Sequence, residues 1–383
     1  MRIQEIKNVR DLSVNGRSVF LRLDFNVPLS KDKPFKVTDD TRITEALPTI
    51  QYLIESGAKI VIASHLGRPD GVMKPEYSLE PVALHLAKLL GQEVTLAEHP
   101  QTESAWDGIR MMIHSMKAGQ LFMLENLRFH PGEEKNDAHF SMLLAGLCQV
   151  YVTDAFGTAH RKHASTYGVF KVATERACGL LIQKELRYLE PLVASPAQPF
   201  HLLLGGAKVS DKIRTVEFLM SQTSAILVGG AMAFAFWKAQ GKTLPAGAKL
   251  PADADVFAAQ GILRQAAKRD LPVLLPTDFV ESFDIGPDTV RVFSQKLRSA
   301  RTVFWNGPMG WFEKPPYEKA TFAIARSLAE QEETVKIVGG GDTVSAVKSS
   351  GLADKFQHLS TGGGAALEYL EGKGLPGIEV LRS

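Results

Sequence analysis

Val338-Gly339-Gly340-Gly341-Asp342-Thr343 passes from a short apolar run through three glycines to residues suited to open a helix. That order, strand then glycine turn then helix start, belongs to open parallel sheets, in which ligands gather beyond the carboxyl ends of the strands. The same rhythm surrounds it. Phe200 to Leu204, Ala225 to Val228, Pro272 to Leu275, Thr302 to Trp305 and Thr334 to Val338 read as buried strands, because each run is brief and bounded by turn residues. In the first half, Val19 to Leu23, Ile60 to Ala63, Leu121 to Leu124 and Val150 to Val152 read the same way. Amphipathic patterns at Thr44 to Glu55 and Glu80 to Leu90 predict helices ending at Gly57 and Gly91, where a helix C-cap favours glycine. The alternation predicts an α/β fold of two doubly wound, Rossmann-like parallel-sheet domains. Gly179 to Val193 carries apolar residues at helical spacing and runs into Ser195, Pro196 and Pro199, so an interdomain helix with a stiff linker is expected. The expected partition is 1–178 with the tail 368–383, a connector 179–198, and a second domain 199–367.

A chain of 383 residues is long enough for two cores. Lys plus Arg number 44 against 42 for Asp plus Glu, a balance that argues against a chain built to coat nucleic acid or an anionic membrane. Any anion site must therefore be local. Met1 to Asp11 breaks its apolar residues with charges, unlike an export signal, and Ser224 to Trp237 falls short of the ~18 to 20 residues that span a bilayer. Cys148 and Cys178 lack metal-type spacing, and reduced cytosol is the expected compartment.

In the first half the residues after each strand are mostly cationic. Arg22, Asp24 and Asn26 follow the first, and Ser64-His65-Leu66-Gly67-Arg68 follow the second. Glu125-Asn126-Leu127-Arg128 follow the third, and His160-Arg161-Lys162-His163 the fourth. With Arg42 just beyond the first loop, they form a set able to hold a phosphate and a carboxylate through bidentate hydrogen bonds. A single arginine after a strand is ordinarily a solvated charge; the repetition carries the reading. Asp24 alone could equally be a turn or capping residue, and His160 with His163 lacks the third ligand of a zinc pattern.

The second half is glycine-rich at the corresponding places: Gly205-Gly206-Ala207-Lys208, Gly229-Gly230, Gly339-Gly340-Gly341 and Gly362-Gly363-Gly364. Backbone without Cβ atoms lets a phosphate approach, and a following helix offers free amides. The spacing matches neither a Walker A loop nor a full dinucleotide fingerprint. Asp342 places a carboxylate beside this phosphate-suited loop, a conflict that Mg2+ bridging to phosphate oxygens would relieve; a plain helix cap is the simpler reading. Lys208 and Lys212, four apart, would share one face of a helix starting after Gly206. Asn306 and Glu313 stand where a nucleotide's polar groups could be met.

Seven motifs, in order, together resemble the phosphoglycerate kinase family. They are Leu23-Asp24-Phe25-Asn26-Val27-Pro28, Ser64-His65-Leu66-Gly67-Arg68-Pro69, Glu125-Asn126-Leu127-Arg128-Phe129, Asp154-Ala155-Phe156-Gly157-Thr158-Ala159-His160-Arg161, Gly205-Gly206-Ala207-Lys208-Val209-Ser210-Asp211-Lys212, Trp305-Asn306-Gly307-Pro308 and Gly339-Gly340-Gly341-Asp342-Thr343. The resemblance covers the whole chain, through Leu367-Glu368-Tyr369-Leu370-Glu371-Gly372-Lys373. It implies that Asp24, Phe25, Asn26, Arg42, His65, Leu66, Gly67, Arg68, Arg128 and Arg161 bind 3-phosphoglycerate or 1,3-bisphosphoglycerate. It implies that Gly206, Lys208, Lys212, Asn306, Glu313, Gly340, Gly341, Asp342 and Thr343 bind ATP or ADP, with Glu313 facing the ribose, Asp342 helping to hold Mg2+, and the C-terminal tail returning to the first domain. It further implies a monomeric cytoplasmic kinase of glycolysis. Two departures stand out: Trp311 where the family more often has a small aliphatic residue, and Thr153 where it often has Asn.

Phosphoryl transfer asks a protein mainly for positioning and charge stabilisation. Arg42, Lys208 and the helix start at Gly364 are expected to serve as the catalytic groups around the transferring phosphoryl, with closure of the two lobes excluding water. The competing readings are a nicotinamide-dependent dehydrogenase, which would want a full glycine fingerprint, and a non-catalytic two-lobe anion-binding protein.

Overall fold

A computed structural model describes residues 5–382. The first four residues of the stretch read against an export signal, and the last residue of the tail, lie outside the described residues. Among the described residues no helix is long and apolar enough to cross a membrane.

Six parallel strands form the first sheet: β1 (Ser18–Arg22), β2 (Lys59–Ala63), β3 (Val94–Leu96), β4 (Leu121–Met123), β5 (Val150–Thr153) and β6 (Arg176–Cys178), in the order β3-β4-β2-β1-β5-β6. The second sheet uses β7 (Phe200–Leu204), β8 (Ala225–Val228), β9 (Val273–Leu274), β12 (Thr302–Asn306), β13 (Val335–Gly339) and β14 (His358–Leu359), in the order β14-β13-β12-β7-β8-β9. A separate antiparallel pair, β10 (Phe279–Val280) and β11 (Asp284–Ile285), intervenes in sequence. The α/β parallel-sheet fold is thus as the sequence predicts. The strands without a counterpart in the sequence pattern are β3, β6 and β14, sheet edges of two or three residues with mixed burial, and the two-residue strands β10 and β11, all too short to leave a continuous apolar run.

Central strands are buried on both faces, which is why they read as unbroken apolar segments. Helix Thr41–Glu55 presses Ile43, Ala46, Ile50 and Leu53 onto Val19, Leu21, Ile60 and Ile62 of β1 and β2. Each such aliphatic side chain contributes about 1.5–3 kcal/mol by leaving water. In the second sheet, Leu203, Val303, Trp305 and Val338 pack with Phe293, Leu297, Ile324 and Leu328.

Described residues up to Arg187, together with those from Gly374 onward, form one compact unit, and Tyr188–Lys373 form another. The division falls inside helix Leu180–Ala194, within the stretch read as a connector. Residues 368–373, expected in the returning tail, stay with the second unit: helix Gly364–Leu370 carries residues 368–370, and Gly372 lies against Phe218.

Candidate active site

In the first sheet the connections leave the neighbours β1 and β5 in opposite directions, and a crevice beyond the carboxyl ends of such strands is where α/β sheets place ligands. The cationic loops all start on that edge. Asp24 is buried and accepts from Arg42 Nη1 at 2.7 Å and from the backbone N–H of Asn26 at 3.3 Å. Asn26 Oδ1 in turn accepts from Gly67 N–H at 2.9 Å, and Gly67 O accepts from Arg128 Nη1 at 2.7 Å. Gly67 has φ +61°, and a Cβ there would lie 2.3 Å from the Tyr77 ring, so only glycine can bridge Asn26 to Arg128. Arg128 is almost wholly buried, with Nε 3.2 Å from Glu134 Oε1 but not aligned for a hydrogen bond. Glu125 and Asn126 tie this loop down: Asn126 Nδ2 donates to Leu66 O and Tyr77 O, and Glu125 accepts from Ser78 and Leu79.

Burial holds His65 well below the usual histidine range, and Arg22, Arg128, Arg42 and His163 push the same way. His163 is driven down to about 3, by burial first and then by the arginines. Both rings are therefore neutral at physiological pH, and the positive charge of this cluster belongs to its arginines. Arg161 lies close enough to lower Arg128, while Arg68 is exposed on its loop. Phe25 and Leu66, expected among the binding residues, turn their side chains into the core, leaving only their backbone for a ligand.

Asp154 does something the sequence did not reveal. Fully buried at the end of β5, it accepts from Leu181 N–H at 3.2 Å, Ile182 N–H at 2.8 Å and the Thr49 hydroxyl, while Thr49 accepts from Leu180 N–H at 2.9 Å. The first three amides of helix Leu180–Ala194 are thus satisfied by groups 27 or more residues away in sequence. Gly179 must lack a Cβ, which would sit 2.2 Å from the Asp154 carboxyl carbon. Burial raises Asp154 to about 6.

In the second sheet the reversal falls between β7 and β12, so the loops after Leu204 and Asn306 flank the switch. Here one expectation fails. Residues 207–212 form turns and the helix begins at Ile213, so Lys208 and Lys212 do not share a helical face. The loop is held instead by backbone contacts. Gly205 N–H and Gly206 N–H donate to Asn306 O and Pro308 O, both at 2.9 Å, and a Cβ on Gly205 would meet Pro308 O at 2.2 Å. These glycines serve strand-end packing. Lys208 extends into solvent, and Lys212 Nζ donates to Gly205 O at 3.0 Å.

The loop at Val338 to Thr343 behaves otherwise. Gly340, at φ +89°, precedes helix Gly341–Ser349, and a Cβ on Gly341 or on Gly363 would meet nothing within 4 Å. Asn306 is buried with its Nδ2 facing Gly340, and Thr343 Oγ1 accepts from Gly307 N–H at 2.6 Å. Asp342 is exposed in the first helical turn, near enough to raise Lys212 against the larger lowering by burial. Glu313 is exposed, as is Trp311, whose backbone N–H donates to Phe283 O at 2.8 Å and whose ring lies 5.0 Å from Lys314 Nζ. Thr153 is buried at the end of β5, opposite Arg22 and Cys178.

Asp342 tests the fit of Mg2+. No group of three His, Cys, Asp or Glu capable of holding a metal occurs among the described residues. A single exposed carboxylate beside open glycine backbone suits an ion that takes one protein ligand and fills its remaining positions with phosphate oxygens and water.

Two switch-point sheets, one edged by arginine and the other by open glycine backbone with a carboxylate and lysines, define a two-unit α/β enzyme of the phosphotransferase class. Comparison with known proteins narrows this. The family model described as phosphoglycerate kinase matches residues 9–283 and 281–373. Phosphoglycerate kinase of Anaeromyxobacter sp. (strain Fw109-5) is 46% identical, with 98% of this chain and 99% of that protein covered. That of Bdellovibrio bacteriovorus is 44% identical, covering 100% and 98%. The solved structure of phosphoglycerate kinase from Coxiella burnetii, 35% identical, superposes with a TM-score of 0.85 over 98% of both chains. The one from Pyrococcus horikoshii, 30% identical, gives 0.84 over the same shares. The chain belongs to the phosphoglycerate kinase family, and neither the dehydrogenase nor the anion-binding reading is supported.

Proposed function

We propose that the protein catalyses reversible phosphoryl transfer between 1,3-bisphosphoglycerate and Mg-ADP, giving 3-phosphoglycerate and Mg-ATP. The observation that carries this reading is the segregation of the two chemistries: arginines cluster at the strand ends of one sheet, Arg128 buried with Arg42 and Arg161 half-buried, and open glycine backbone lies with Asp342 at those of the other. Arg42, braced by Asp24, and the arginines 68, 128 and 161 bind the phosphoglycerate; Asp24, Asn26, His65 and the Gly67 backbone orient its hydroxyl and carboxylate. Gly206, Lys208, Lys212, Asn306, Gly340, Gly341 and Thr343 cradle the nucleotide phosphates, with Glu313 facing the ribose. Arg42, Lys208 and the helix start at Gly364 stabilise charge on the phosphoryl in transit.

Asp342 would hold Mg2+, which when bound neutralises nucleotide oxygens. The substrate's own carboxylate accepts the phosphoryl, so no covalent enzyme intermediate is required. In-line transfer follows closure, which brings the bound reactants together and excludes water. We assign the protein to the cytoplasm as a monomer, with 1–178 and the tail serving phosphoglycerate and 199–367 serving nucleotide.

The test is ADP production from Mg-ATP with 3-phosphoglycerate, with the acid omitted in one control and Asp342→Ala in another. Activity that requires the acid and collapses in the variant supports the reading; ADP formed equally without the acid overturns it.

A further inference from the structure

His65 sits at the end of a buried relay that nothing in the seven motifs announces. Glu133, wholly buried, accepts from both donors of Ser165: the hydroxyl at 2.5 Å on Oε1 and the backbone N–H at 3.0 Å on Oε2. A serine hydroxyl has one proton, and here it points to Glu133. Its lone pair therefore accepts from Arg22 Nε–H at 2.7 Å. Arg22 is 1% exposed and has no access to a ligand; its Nη1 donates to Leu23 O, and its Nη2 lies 3.4 Å from His65 Nδ1. A guanidinium can only donate. A proton on Nδ1 would set donor against donor, while the Asp24 carboxylate oxygen Oδ1 is 3.8 Å away and beyond hydrogen-bond range.

We infer that Arg22, aimed by Ser165 and Glu133, is a positioning residue that fixes His65 as the neutral imidazole protonated at Nε2. His65 then offers the substrate a donor without adding a cation to the arginines around it. The burial and the neighbouring arginines that disfavour an imidazolium act in the same direction. Nε2 has no hydrogen bond among the described residues, which leaves it for a ligand. A donor there satisfies a hydroxyl or carboxylate oxygen, whereas a bare Nε2 would repel it. This inference rests on the reading of the cluster as the phosphoglycerate site.

The experiment uses the full chain labelled with 15N-histidine, and two-bond proton–nitrogen correlation spectra at neutral pH, with His65 identified by its loss in His65→Gln. The expected pattern is bare Nδ1 and protonated Nε2. Ser165→Ala should convert this to a tautomer mixture and raise KM for 3-phosphoglycerate about 3- to 10-fold, the range of one misaligned hydrogen bond, with kcat within about twofold. A second arm needs no change to the relay. His65→Gln, whose amide nitrogen occupies the Nε2 place, should keep a lower KM than His65→Asn, whose nitrogen occupies the Nδ1 place. Protonated Nδ1 in the wild type, a doubly protonated ring, or a Ser165→Ala protein with unchanged tautomer and KM overturns the inference. The expected tautomer with no response of the spectrum to 3-phosphoglycerate overturns the functional reading instead and leaves the relay standing.

Discussion

His201 gives a stability prediction whose size follows from its surroundings. It is the second residue of β7, fully buried between Ala225 of β8 and Val303 of β12, and neither ring nitrogen has a hydrogen-bond partner. Burial, with Lys296 adding like-charge repulsion, lowers its pKa to about 4, against roughly 6.5 in an unfolded chain. Between those values the unfolded chain takes up a proton that the folded chain refuses. Stability contributed by the neutral ring is therefore complete above about pH 7 and falls as pH drops through the window from about 6.5 to 4. The single-site relation gives a loss of about 2 kcal/mol between pH 8 and pH 5, and about 3 kcal/mol in total below pH 4. His201→Leu keeps nearly the same volume, removes two unsatisfied nitrogens and cannot be protonated. It should stabilise the protein at pH 8 by about 1 kcal/mol or more, the lower end of the cost of an unpaired buried polar group. Between pH 8 and pH 5 it should lose about 2 kcal/mol less than the wild type. Urea unfolding followed by tryptophan fluorescence at both pH values measures each quantity. Equal pH dependence in the two proteins would refute the account, because it would mean that the His201 proton affinity does not change on folding.

Arg42→Ala should lower turnover on the order of a thousandfold, as removal of an arginine finger does, and a variant of unchanged kcat removes Arg42 from the catalytic groups. Gly67→Ala should raise KM for 3-phosphoglycerate by about tenfold or more, since relieving the Tyr77 contact moves the backbone that links Asn26 to Arg128; an unaltered KM counts against that link. Gly179→Ala should destabilise the protein by about 3 kcal/mol or more by displacing Asp154 from the helix amides, measured by urea midpoint. Trp311→Val should change the ratio of kcat/KM for ATP over GTP by about two- to tenfold, the worth of one aromatic stack, and an unchanged ratio places Trp311 outside the base-binding surface.

The α/β class and the positions of the long central strands are legible in the amino-acid pattern alone, because a strand covered on both faces must be apolar throughout. So is the placement of arginines after the strands of one half and glycines after those of the other, since composition at strand ends is local. Edge strands such as Val94–Leu96 escaped the pattern, being too short and too mixed in burial to leave a signal. So did the start of the helix at Ile213, where backbone pairing of Gly205 and Gly206 with Asn306 and Pro308 overrides the helical spacing of Lys208 and Lys212. What supports the cluster follows from tertiary packing. Asp154 caps a helix with the help of Thr49, 105 residues away, and Arg22 meets Ser165, 143 residues away. Hydrogen bonds of that span obey no periodicity, and a buried charge takes its partner from whichever chain segment the sheet order brings beside it.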